Sequence, residues 1–163
     1  MSFAILPTEL MLMVLHNLET KDLWAVERTN SRMRALALWD VRRRMNIIST
    51  SWQFKINSEV TCKLSKGEFD IATKSMVYNV PQEIIQLDQA VRDIYCILFR
   101  TISEQASVWH DMARLKEEGT LSSATSNAGR YQVDAHVRRG EGLCKVMVKS
   151  IKVPIREFRT LIA

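Results

Sequence analysis

Histidine is the side chain best suited to move a proton near neutral pH, and the chain has three, His16, His110 and His136. None of them has a serine, a cysteine or a carboxylate at a spacing typical of an active site. The chain also lacks a phosphate-binding glycine loop and a nucleophile elbow. We therefore expect no enzymatic activity, and we interpret each histidine as a surface or packing residue.

The three cysteines, Cys62, Cys96 and Cys144, are odd in number and widely spaced. No C-x-x-C pair occurs, which excludes a zinc ribbon and a thioredoxin-like redox site, so we expect no metal and no other cofactor. Cys96 stands in an apolar run and is predicted to be a small buried residue. Unpaired cysteines fit a reducing compartment, so we expect the protein in the cytoplasm, the nucleus or both.

Length and composition limit the class of protein. The 163 residues suit either one domain or a short module joined to a small second domain. An apolar share of 47% is enough for a hydrophobic core. No apolar run reaches the roughly 18 residues of a membrane span, so we expect no membrane partner. The net charge of +5 permits an acidic partner but is also common on surfaces without one.

The elements that would position any site begin with residues 6–48, which are predicted to be helical. Pro7 suits a first helical turn because its missing N–H has no partner there, and Glu9 favours the positive end of the helix. The apolar stripe of this first helix consists of Leu10, Val14, Leu15 and Leu18. The spacing predicts a short helix with one broad apolar face.

Two further short helices are predicted after the first, each with a candidate N-cap residue. The second begins at either Thr20 or Asp22. The third begins at either Asn30 or Ser31. The apolar residues of these two helices are Leu23, Val26, Met33, Leu36, Ala37 and Trp39.

Beyond the helices the apolar period changes to that of a strand. Between Ser51 and Val80 apolar and polar residues alternate, which predicts two to four antiparallel strands. Similar alternation between Tyr131 and Val153 predicts further strands, with a hairpin turn at residues 139–142. Residues 122–129 are small and polar and are predicted to form a loop. Residues 155–162 are predicted to form a closing helix or strand.

Residues 81–116 carry the longest apolar pattern of the chain and are predicted to form one long helix. Pro81 suits its first turn and Gly119 its end. The apolar stripe consists of Ile84, Leu87, Val91, Ile94, Leu98, Ile102, Ala106, Trp109 and Met112. Such a helix is expected to pack on antiparallel strands, so we predict an α+β fold with a helical module at 1–48 and a small domain at 49–163.

The helical opening resembles the F-box family over about thirty residues without insertion. Its matching segments are Leu6-Pro7-Thr8-Glu9-Leu10, Val14-Leu15, Leu18, Asp22-Leu23 and Thr29-Asn30-Ser31-Arg32-Met33-Arg34-Ala35-Leu36. Thr29, Asn30 and Met33 stand where the family usually has valine, serine and tryptophan. Met33 is a softer anchor than an aromatic ring, so it would weaken docking. The resemblance covers the first quarter to third of the chain.

The resemblance implies that the helices bind a Skp-type adaptor and, through it, a cullin of an SCF ubiquitin ligase. A unit of about forty residues cannot hide all its apolar surface alone, so a partner would cover the rest. The residues implied in adaptor binding are Leu6, Pro7, Glu9, Leu10, Val14, Leu15, Leu18, Leu23, Val26, Met33 and Leu36. The second domain would then hold a protein client for ubiquitin transfer. The structural alternative is an ordinary helical hairpin that packs on its own sheet.

Basic residues leave two other functions open. Arg42-Arg43-Arg44 is interpreted as a solvated helix face. The candidate surface for an acidic partner consists of Arg138, Arg139, Lys145 and Lys149, of which Lys145 and Lys149 would share a face of a strand. A small nucleic-acid-binding protein, viral or not, would use this surface, although no aromatic pair is placed for base stacking. A structural subunit would use the helices for docking alone.

Overall fold

The computed structural model describes residues 5–47, 52–57, 60–64, 67–80, 85–88, 93–101, 108–115, 119–140 and 142–158. Three helices precede two antiparallel sheets, which confirms the predicted α+β class. The described residues divide into two compact units. The helical unit holds residues 5–47 with 155–158, and the sheet unit holds those from 52 to 154. Whether the division into domains 1–48 and 49–163 is functional stays a prediction.

The helical unit consists of α1 (Thr8–His16), α2 (Thr20–Glu27) and α3 (Ser31–Ile47), and α3 contacts both of the others. The side-chain oxygen of Asn30 accepts a hydrogen bond from the Met33 N–H at 2.9 Å, so Asn30 caps α3 as predicted. The expected cap of α2 is wrong, because the N-cap position is taken by Glu19. The Thr20 hydroxyl instead accepts a hydrogen bond from Arg44.

The sheet unit contains ten strands among the described residues. They are β1 (Trp52–Ile56), β2 (Val60–Leu64), β3 (Gly67–Asp70), β4 (Ser75–Asn79), β5 (Ile85–Asp88), β6 (Ile94–Thr101), β7 (Val108–Leu115), β8 (Gly119–Thr125), β9 (Gln132–Gly140) and β10 (Leu143–Pro154). One sheet has the order β2-β1-β6-β7, and the other β3-β4-β10-β9-β8 with β5 also paired to β10. The first four strands confirm the prediction made for residues 51–80.

The two sheets share a core. Alternate residues are buried in β1, where Trp52, Phe54 and Ile56 are at most 1% exposed, and in the first six residues of β9. The Trp52 indole donates a hydrogen bond to the Tyr78 hydroxyl at 2.9 Å, which joins the four-stranded sheet to the six-stranded one. The Tyr131 hydroxyl, which lies just before β9, donates to a backbone carbonyl of β6 at 2.7 Å. Both buried hydroxyls therefore make hydrogen bonds inside the core.

The predicted long helix at residues 81–116 is wrong wherever the structure describes this segment. Residues 85–88, 94–101 and 108–115 are strands, and the remainder of the prediction lies outside the described residues. The physical reason is the run 94–99, Ile-Tyr-Cys-Ile-Leu-Phe, which is apolar on both strand faces. A continuous apolar run satisfies helical spacing by chance, while its β-branched and aromatic residues favour a strand. Cys96 is buried as predicted, but on a strand.

Two neighbouring predictions need smaller corrections. Gly119 begins β8 instead of ending a helix, and residues 122–125 belong to that strand, because their backbone pairs with β9. Only 126–131 form the turn. The predicted hairpin at 139–142 is confirmed by the pairing of Gly140 with Leu143. Residues 155–158 form a 3-10 helix, and the rest of the predicted closing element lies outside the described residues.

Among the described residues, none of the helices could span a lipid bilayer.

Candidate partner-binding surface

Helix α1 has two apolar faces, and only one of them is buried. Met11 and Leu15 are 2% and 1% exposed. Leu10, Met13 and Val14 are 46%, 64% and 46% exposed, and their spacing places them together on one side of the helix. We call these three residues the α1 face. Contiguous exposed apolar surface of this kind marks a site of interaction more often than single scattered apolar residues do.

The end of α1 is held by an arginine on α3. One terminal nitrogen of Arg44 donates to the carbonyl oxygens of Leu15, His16 and Leu18 at 3.1, 3.1 and 2.7 Å. These carbonyls belong to the last turn of α1 and the residues after it, where a helix leaves acceptors without an internal partner. The Arg44 guanidinium therefore caps α1 and fixes it to α3.

A buried carboxylate orients that arginine. Asp40 is 1% exposed, and its two oxygens accept hydrogen bonds from Nε of Arg44 at 2.8 Å and Nε of Arg43 at 3.2 Å. His16 Nδ1 lies 3.6 Å from the same carboxylate. Arg43 also contacts the His16 ring. The interpretation of residues 42–44 as a solvated face is therefore wrong for Arg44, whose side chain is 16% exposed.

The start of α1 is held from the other end of α3. A terminal nitrogen of Arg32 donates to the Leu6 carbonyl at 3.2 Å and to the Thr8 hydroxyl at 3.1 Å. Pro7 is the N-cap residue of α1, and its carbonyl accepts the first helical hydrogen bond, from Met11, at 3.1 Å. Both ends of α1 are thus tied to α3 by arginine side chains, so the α1 face is presented on a fixed backbone.

The structure divides the eleven predicted contact residues into three groups. The exposed residues are Pro7, Glu9, Leu10 and Val14. The half-buried residues are Leu6, Leu18, Val26, Met33 and Leu36. The remaining two, Leu15 and Leu23, are 1% and 0% exposed. Because these two present no surface to a partner, the structure assigns them to packing, and adaptor contact by the other nine stays a prediction.

Sequence reasoning missed Met13, the most exposed residue of the α1 face. Its spacing from Leu10 was a sufficient signal, because positions three apart on a helix are neighbours. It also missed Asp40 and Arg44, for which the sequence offers only an acidic residue followed by a basic one at i+4. That pattern is common on solvated helices and says nothing about burial.

The four basic residues predicted to form an acidic-partner surface do not all lie together. Arg138 and Lys145 are cross-strand neighbours on β9 and β10, and both are exposed, as is Lys149. Arg139 pairs with the buried Cys144 and is half-buried. It therefore lies on the opposite face of the sheet from Arg138, since successive side chains of a strand alternate. Lys145 and Lys149 are both exposed, but β10 has an irregularity between Val148 and Ser150, so their shared face stays a prediction.

Comparison with known families gives one match, to the F-box-like family over residues 3–47. The matched range spans α1, α2 and α3, and it includes the capping contacts of Asn30 and Arg44. The chain matches no curated protein and no solved structure. The family match rests on the helical segment alone and makes no statement about the sheets. The N-terminal part of this chain, residues 3–47, is an F-box-like module.

Proposed function

We propose that the protein is an adaptor whose F-box-like module binds a Skp-type protein and, through it, a cullin-based ubiquitin ligase. The observation that carries the proposal is the α1 face, where Leu10, Met13 and Val14 remain exposed inside a module of this family. Exposed apolar side chains on a rigid helix are what a helical partner can bury. The arginine ties at both ends of α1 keep that face ordered before binding, which lowers the entropy cost of docking.

In this proposal the sheet unit holds a protein client, and the chain contributes proximity rather than chemistry. The protein itself is then no enzyme, since ubiquitin is transferred by other components of the ligase. Such an adaptor acts in the cytoplasm, the nucleus or both. The described core of the sheet unit is filled by large side chains such as Trp52, Phe54 and Tyr78, so a client would be bound on its outer surfaces.

The test is co-expression with a Skp-type adaptor, followed by size-exclusion chromatography. Leu10→Asp places a charge in the α1 face and should weaken adaptor binding by at least about thirtyfold, the loss expected for a central contact residue. Because Leu10 is 46% exposed, the substitution should leave the fold intact. The wild-type chain should co-elute with the adaptor, and the variant should elute alone.

Ile71→Asp is the matched control, because Ile71 is 41% exposed in the sheet unit and undergoes the same chemical change. It should still co-elute. Leu15→Asp serves a different purpose, since a charge at a side chain that is 1% exposed should unfold the module and remove the helical circular dichroism signal. A folded wild-type chain that never co-elutes, or a Leu10→Asp variant that binds normally, would contradict the proposal.

A further inference from the structure

The outer face of the six-stranded sheet carries a compact group of cations. Arg138 on β9 lies directly opposite Lys145 on β10, and Lys149 follows four residues later on β10. All three are exposed, while Cys144, Val146 and Val148 alternate with them and are buried. We call Arg138, Lys145 and Lys149 the basic strip. Strand geometry places the Arg138 and Lys145 backbones about 5 Å apart, and the two lysines at most about 13 Å apart because β10 has an irregularity between Val148 and Ser150.

The basic strip is an unfavourable arrangement for the chain alone. Like charges directly opposite each other on paired strands destabilise a sheet. Among the carboxylates whose side chains are described, none forms an ion pair with any of the three. Asp134, which lies on the same face, is instead engaged by the Ser123 hydroxyl at 2.5 Å, the Ser150 hydroxyl at 3.3 Å and the Lys152 ammonium at 3.6 Å. An external anionic group would relieve the repulsion within the basic strip.

We propose that the basic strip binds a short, extended acidic segment of the client protein. The proposal rests on the function proposed above, in which the sheet unit holds a client. An extended peptide advances about 3.3 Å per residue and turns alternate side chains to one side. Two carboxylates up to four residues apart would therefore reach Lys145 and Lys149, and the one at Lys145 would also meet Arg138 on the opposite strand.

A protein segment fits this face better than a nucleic acid does. Binding to a phosphate backbone grows with the number of cations that it meets, and three are few. No phenylalanine, tyrosine or tryptophan among the described residues lies on the same face, so the strip has no aromatic platform for bases. These features favour a ligand with two or three negative charges.

The experiment uses the full chain and fluorescence anisotropy with two probes, a labelled ten-residue peptide of alternating glutamate and serine and a labelled ten-nucleotide oligouridine. The wild-type chain should bind the peptide and lose affinity as salt is raised, because exposed charges are screened. Lys145→Glu should weaken peptide binding by roughly five- to tenfold, since it reverses the central charge of three. The matched control Lys63→Glu, an exposed lysine on the edge strand β2, makes the same change in net charge and should leave binding unaltered.

Three results would overturn the inference. They are the absence of peptide binding by the wild-type chain, an equal loss in Lys63→Glu, and tighter binding of oligouridine that is lost in Lys145→Glu. The last result would identify a nucleic-acid surface instead. Lys145→Glu should still co-elute with the Skp-type adaptor, so a failure at the basic strip is distinguishable from a failure of docking at the α1 face.

Discussion

Three consecutive arginines on α3 allow one side chain to be tested against two internal controls. Arg42 is exposed, the Arg43 side chain is 33% exposed, and the Arg44 side chain is 16% exposed. Substitution by methionine keeps much of the apolar stem of each side chain and removes only the guanidinium. We predict that Arg44→Met destabilises the helical unit far more than Arg42→Met or Arg43→Met does.

The magnitude follows from what Arg44→Met leaves behind. Asp40 is 1% exposed and would lose its 2.8 Å partner, and three carbonyl oxygens at the end of α1 would lose their donor. Removing one member of a buried ion pair costs about 3–5 kcal/mol. The lower end applies here, because Arg43 still contacts Asp40 at 3.2 Å. Arg43→Met should cost about 1 kcal/mol, and Arg42→Met at most about 0.5 kcal/mol.

Urea denaturation followed by far-ultraviolet circular dichroism measures these differences, because the helical signal reports on the helical unit. A loss of stability that is largest for Arg44→Met, smaller for Arg43→Met and smallest for Arg42→Met would support the capping role. If Arg44→Met unfolds at the same urea concentration as Arg42→Met, the hydrogen bonds from Arg44 contribute no net stability. Arg44 would then not hold the α1 face rigid against α3.

Two further predictions concern the sheet unit. Burial raises the pKa of the Asp111 carboxyl, but hydrogen bonds from the Ser126 hydroxyl and from the backbone N–H groups of the β8–β9 turn outweigh it and hold that pKa below its ordinary value. The resulting stabilisation is present above about pH 4 and is lost as the pH falls through the lowered pKa. Asp111→Asn should therefore be less stable than wild type by roughly 1–3 kcal/mol near neutral pH, and this difference in the free energy of unfolding should shrink in acid. A difference that widens in acid would refute the assignment. Gly67→Ala should cost about 1–3 kcal/mol in urea denaturation, because its new Cβ would lie 2.8 Å from Cε1 of Tyr78, a ring held by its hydrogen bond to the Trp52 indole. Gly140→Ala, with nothing within 4 Å, is its control, and equal stability of the two variants would contradict the packing argument.

The helical module could be predicted because its signals are local. The cap at Asn30, the first turn at Pro7 and the leucine spacing of α1 each depend on residues within four positions. The four strands between 52 and 79 were equally accessible, because apolar and polar residues alternate in this part of the sequence with a period of two. The α1 face could also be predicted in part, since Leu10 and Val14 share the spacing that Met13 completes.

Local sequence patterns are therefore sufficient for the helical module and the alternating strands. The conformation of residues 94–99 depends instead on tertiary pairing. A run that is apolar on both faces has no period of its own, and it becomes a strand by pairing with β1 and β7. Tertiary contacts also make Arg44 largely buried while Arg42 is exposed. They place Arg139 and Arg138, which are adjacent in the chain, on opposite faces of the sheet. Burial and side-chain direction arise from contacts between residues far apart in the sequence, and no local pattern records which neighbour a side chain will meet.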